Sequence, residues 1–177
     1  MPKSSNKQIE KDEKKILNEL RNNANKSINE IAQSLGFSRQ KVWRVIKNLE
    51  KNHTIWGYTA IVDEEKLNRK SFMMLIKRTN KPIEKATLNK VINRDLEKNI
   101  KKIGIEIVNS LFTNGFYDWV VYFDAPDIRT AKGFVESFNK LYEGYVSELH
   151  LIEIMFPVKN CRVTNPEINK LKDFFKI

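Results

Sequence analysis

The chain has 177 residues, 41% of them hydrophobic, which suits one large or two small packed domains and excludes global disorder. Its 32 Lys and Arg against 22 Asp and Glu give a net charge of +10, which points to a polyanionic partner. A lone cysteine, Cys161, excludes an intrachain disulfide and a cysteine-rich zinc site.

The polar start, MPKSSNKQIEKDEKK, has no apolar signal core. No apolar run approaches the roughly 18 residues of a membrane span. A cytoplasmic protein with a flexible leader over residues 1–9 is expected. From Glu10 to Asn22, the residues Ile16, Leu17 and Leu20 mark the stripe of a first helix. Ser27 and Glu30 have capping-box spacing, and Ile28, Ile31, Ala32 and Leu35 predict a second helix behind them. Gly36 stands where a left-handed residue ends a helix, and Ser38 suits the N-cap of a third.

In the third helix Val42, Ile46 and Leu49 fall at i, i+4 and i+7 and face inward. Arg39, Gln40, Arg44 and Lys47 are expected on the opposite side. Helix, tight glycine turn, helix is the helix-turn-helix plan, and residues 10–53 are read as a DNA-binding domain on double-stranded DNA. Arg can bind guanine and Gln adenine in a bidentate way, so Arg39, Gln40 and Arg44 are candidate base readers. Lys41 and Lys47 suit phosphates, which orient the protein without specifying sequence. Ser38 and Trp43 complete the candidate interface. A three-helix structural bundle with a solvated basic face is the plainer alternative.

Residues 55–62 are strand-like and are expected to form a linker strand, wing or hinge within 54–69. Beyond them the pattern reads strand (71–79), one long helix (82–103), strand (105–113), an Asn114-Gly115 turn, strand (119–125), helix (127–143) and strand (148–156). That order is β-α-β-β-α-β, the ferredoxin-like plan, over residues 70–158. Phe72-Met73-Met74-Leu75-Ile76 and Trp119-Val120-Val121-Tyr122-Phe123 do not alternate, so both sheet faces are apolar. A second subunit is the economical cover for the outer face, and the C-terminal tail folding back is the alternative. Lys90, Arg94, Lys98 and Lys102 form a basic stripe along the long helix, and residues 159–177 are a tail with a short C-terminal helix. The fold class is therefore α+β, a winged helix-turn-helix domain followed by a ferredoxin-like domain. No Gly-rich phosphate loop, nucleophile elbow or metal-ligand cluster is found, so no catalytic residue, metal or cofactor is expected.

Residues 16–68 (ILNELRNNANKSINEIAQSLGFSRQKVWRVIKNLEKNHTIWGYTAIVDEEKLN) and 113–127 (TNGFYDWVVYFDAPD) resemble a transcription regulator of the Lrp/AsnC (leucine-responsive/asparagine regulator) family. The first stretch includes the I-x-G-Y-x-A-x-V-D run at 55–63, and the second the Gly-x-x-Asp segment at Gly115 and Asp118. The resemblance implies a homodimer or higher oligomer built on the second domain. It also implies an amino-acid effector held between subunits, with Asn114, Gly115 and Asp118 as the candidate residues. Two other readings share the architecture. One is a siroheme-type tetrapyrrole decarboxylase, for which the chain offers only His53 and His150. The other is a nucleoid-type protein that binds DNA with little sequence preference.

Overall fold

A computed structural model describes residues 6–175. The chain divides into two compact units, Met1–Ile61 and Val62–Ile177.

The first unit holds α1 (Asn6–Asn22), α2 (Ile28–Leu35) and α3 (Arg39–Lys51). Helix α1 begins at Asn6, four positions ahead of the expected Glu10, so the expected leader is helical from there. Its first five residues lie outside the described ones. Helix α2 starts with the anticipated capping box. The Glu30 N–H donates to Ser27 Oγ at 3.2 Å, and the Ser27 N–H donates to the Glu30 carboxylate at 2.7 Å. It ends in a Schellman turn: Gly36 has φ 65°, its N–H donates to the Gln33 carbonyl, and the Phe37 N–H donates to the Ala32 carbonyl at 2.9 Å. Two residues on, Ser38 Oγ accepts the Lys41 N–H and opens α3. The turn cannot lengthen without losing one of these caps, and so the angle between α2 and α3 is set locally. Ile16, Ile31 and Val42 are fully buried with Ala32 and Ile46 at the centre, and Leu20, Ile28, Leu35, Phe37 and Val45 pack round them.

Beyond α3 the expected strand over residues 55–62 does not form. The Thr54 and Ile55 N–H groups both donate to the Leu49 carbonyl, and the chain then runs on without ladder bonds. A strand is stable only beside another that takes its N–H and C=O groups, and the described residues offer none here. No β wing is present among the described residues, and Trp56 is 95% exposed.

The second unit is a four-stranded antiparallel sheet of order β2-β3-β1-β4, with β1 Lys70–Arg78, β2 Glu106–Phe112, β3 Trp119–Ala125 and β4 Val146–Glu153. This is the ferredoxin-like order. Phe72, Met74 and Ile76 on β1 and Val121 and Phe123 on β3 face the helices and are buried. There they meet Phe134 and Phe138 of α6 (Ile128–Leu141), with Phe123 and Phe134 edge-to-face at 4.8 Å. Arg69 ties the start of β1 to the sheet, donating to the Glu106 carboxylate and to the Gly104 and Asp124 carbonyls.

Two expectations fail in this unit. The long helix over 82–103 is broken into α4 (Lys85–Ile92), α5 (Asp95–Ile100) and a short 3-10 turn. Asn93 closes α4 and Arg94 turns left-handed at φ 56°. Only Leu96 and Ile100 of the expected apolar stripe reach the core, whereas Leu88 and Ile92 stay exposed. The basic stripe is broken with it, since Arg94 pairs with Glu97 and Lys98 with Asp95. The tail carries its helix in 3-10 form. It makes a small hairpin, β5 (Lys159–Asn160) with β6 (Val163–Thr164), and then a 3-10 segment, Ile168–Phe174, which lays Phe174 against Phe156 at 5.7 Å.

Gly36 and Gly115 make contrasting predictions. A Cβ at Gly36 would have to live at positive φ, so Gly36→Ala should cost the first unit about 1 kcal/mol. Gly115 lies outside that region, and a Cβ there would meet nothing within 4 Å, so Gly115→Ala should be neutral. Urea denaturation followed by circular dichroism distinguishes the two.

Candidate nucleic-acid interface

Helix α3 has two unlike sides. Val42, Ile46 and Leu49 are buried, with Val45 half-buried beside them. Gln40, Trp43, Arg44 and Lys47 stand at i, i+3, i+4 and i+7, and all four are exposed. The side chains of Arg39, Gln40 and Arg44 make no hydrogen bond or ion pair among the described residues. Their donors are free to bond a ligand. Arg39 shares a stripe with Val42 and Ile46, so it stands on the flank of the exposed face and not, as expected, opposite the core.

The two lysines differ. Lys41 Nζ lies 2.6 Å from the Asp12 carboxylate on α1 and 3.9 Å from the centre of the Phe37 ring. The Asp12 side chain is 4% exposed and also accepts from Gln8. The hydrogen bond from Lys41 outweighs the cost of burial and holds this carboxyl below its usual range. Lys41 is thus committed to the fold. Lys47 pairs with Glu50 at 2.7 Å on the open surface, where exchange with a phosphate costs little. Sequence reading missed Asp12 and Phe37. The signal for Asp12 was present: it stands four residues before Ile16, on the buried stripe of α1.

In the second unit the turn at 114–118 is a structured crossing. The Asp118 carboxylate accepts the Arg78 N–H at 2.8 Å, and its own N–H donates to the Ile76 carbonyl. One carboxylate oxygen is therefore already used in joining β3 to β1. Phe116 lies under Lys77 Nζ at 4.1 Å, and Tyr117 meets the His150 ring edge-on at 5.8 Å. Asn114 and Gly115 sit exposed at the tip. His53 lies exposed in the turn after α3, and His150 is exposed on the sheet. Among the described residues no group of three His, Cys, Asp or Glu is placed to hold a metal ion. No described helix is long and apolar enough to cross a membrane.

A winged helix-turn-helix DNA-binding family profile matches residues 13–55. No curated protein sequence matches the chain. Among solved structures, an AsnC family transcriptional regulator from Agrobacterium tumefaciens aligns at TM-score 0.61 and 20% identity, over 84% of this chain and 91% of that one. A transcriptional regulator from Neisseria meningitidis in complex with L-Met aligns at 0.61 and 17% identity, over 89% and 94%. The feast or famine regulatory protein from M. tuberculosis complexed with L-methionine aligns at 0.66 and 15%, over 86% and 96%. The first unit is a helix-turn-helix domain of the DNA-binding type, and α3 is its second helix. The chain as a whole has the fold of the Lrp/AsnC regulators.

The buried pair gives a pH prediction. Asp12 is easier to ionise in the folded chain than in the unfolded one, so its contribution is complete above the ordinary carboxylate value of 3.8 and disappears as pH falls through its lower folded value. Asp12→Asn should weaken the first unit by roughly 1–3 kcal/mol at neutral pH and flatten its acid transition, measured by circular dichroism. An unchanged acid transition would sink the assignment.

Proposed function

We propose that the protein is a sequence-specific DNA-binding transcription regulator that acts as a dimer or higher oligomer. One observation carries the reading: α3 buries one face and leaves Gln40 and Arg44 on the other with their donors available, beside Lys47 in an exposed pair with Glu50. Arg44 and Gln40 then read base edges in the major groove, with Arg39 at the flank. Lys47 and the Ser38 end of the helix meet phosphates. Lys41 supports the interface from behind.

The sheet's outer face supports the dimer. Leu75 lies between Val120 and His150, Met73 between Tyr122 and Ile152, and Leu111 extends the row beyond Val120. Met73, Leu75, Val120 and Tyr122 are only half-buried and Leu111 and Ile152 are exposed, and a second copy laid against the strip removes it from water. A dimer presents two α3 helices, which calls for a roughly palindromic operator with half-sites about one helical turn apart, or a multiple of that. An amino-acid effector at Asn114, Gly115 and Asp118 is the accompanying proposal. Its support is the open tip of that turn and the L-methionine bound by two proteins of this fold.

Arg44→Ala should weaken operator binding by about 1–3 kcal/mol and relax the preference at one base pair, whereas Lys47→Ala should weaken all duplexes alike. Gel-shift titrations against the operator and random DNA test both. If Arg44→Ala alters neither affinity nor preference, the recognition-helix assignment is wrong; equal affinity of the native chain for every duplex points to a nucleoid-type protein. For the assembly, Leu75→Lys places a charge in the middle of the strip and should convert the full chain to a monomer in sedimentation velocity. An oligomer unaffected by that change would locate the interface elsewhere.

A further inference from the structure

Trp43 is the odd residue on the exposed face of α3. It is 52% exposed, makes no ring contact among the described residues, and lies one turn beyond Gln40 and one turn before Lys47 on the same stripe. The core of this unit is complete without it. A large apolar ring held in water beside hydrogen-bonding side chains has a use only when something apolar arrives there. In the major groove the one apolar group on a base edge is the thymine methyl.

Resting on the proposed DNA-binding reading, we infer that Trp43 is a specificity-determining residue that packs against a thymine methyl next to the base read by Gln40. The spacing suits this. Three residues of α-helix advance about 4.5 Å, and one base step advances about 3.4 Å, so Gln40 and Trp43 address neighbouring base pairs. Gln40 selects adenine through its N6 and N7, so each half-site carries an A·T pair followed by a pair whose thymine faces Trp43. The apolar face of the indole gains from covering a thymine methyl and gains nothing comparable at a pair that lacks one, so such pairs are disfavoured at that step.

The test uses the full chain. An operator is first selected from a random duplex pool, and each thymine in it is then replaced singly by uracil, which lacks only the methyl. One methyl withdrawn from water is worth about a fourfold change in affinity. One thymine per half-site should show that loss with the native chain. Trp43→Ala should bind the thymine operator more weakly and be indifferent to uracil at that position, and Trp43→Leu should recover part of the sensitivity. Because Trp43 is outside the core, the thermal unfolding of both variants should match the native chain. A flat uracil scan, or Trp43→Ala retaining the native sensitivity, would overturn the inference. So would equal weakening on operator and random duplex, which marks a backbone contact. If the pool yields no preferred sequence, the regulator reading itself fails. If it does, and Arg44→Ala degrades recognition while Trp43→Ala does not, only the role of Trp43 fails.

Discussion

The N-terminal unit depends on the burial of one stripe of α3. Val42 and Ile46 can leave water only if α3 lies against Ile16 of α1 and Ile31 of α2. With those contacts made, rotation of α3 about its axis is fixed, and every exposed side chain follows from helical geometry. The Gly36 turn and the Ser38 cap then fix where α3 begins. The proposed recognition surface is thus positioned from behind: its exposed residues lie outside the core and are free to vary. Val45 shows the boundary. It is half-buried against the core, so no base reader can occupy that position without a loss of packing.

The second unit solves a different problem. Its helix-facing side is sealed by an aromatic set in which Trp119, Phe138 and Tyr142 meet at 4.7 to 5.4 Å. Its other side is left with side chains too apolar for water. A sheet sealed on one face and unsealed on the other is stable alone but sticky, and this difference lets an assembly form from domains already folded. The turn at 114–118 stands at the end of the unsealed face, where Lys77 and Tyr117 reach over it. Any event at the turn is therefore next to the surface on which the proposed subunits meet.

Much of this was legible in the amino-acid sequence, for local reasons. The Ser27–Glu30 box, Gly36 and Ser38 each act within five residues, and the double apolar character of the strands at 72–76 and 119–123 survives any reasonable shift of register. What escaped reading depended on contacts distant in sequence or on cooperation between segments. Leu88, Ile92, Leu96 and Ile100 have perfect spacing for one helix, yet a left-handed Arg94 divides them because only the second pair reaches the sheet. Residues 55–62 have strand composition, but a strand is a property of two segments and composition reports one. The Cys161-Arg162 hairpin turn uses φ 41° and 76° at residues that rarely adopt them, so the usual glycine and asparagine signals were missing.

The ion pair between Lys41 and Asp12 has a consequence for how the protein should respond to its ionic surroundings. Binding to DNA gains much of its free energy by liberating cations condensed on the phosphates, about 0.9 for each phosphate neutralised in a duplex. A lysine whose charge is already answered by a buried carboxylate liberates none. The net charge of +10 already sets Lys41 against Asp12; what the pair changes is the number of available cations, and of the five basic residues of α3 four, Arg39, Arg44, Lys47 and Lys51, stay clear of a buried carboxylate. The N-terminal unit has in effect spent one of its cations internally.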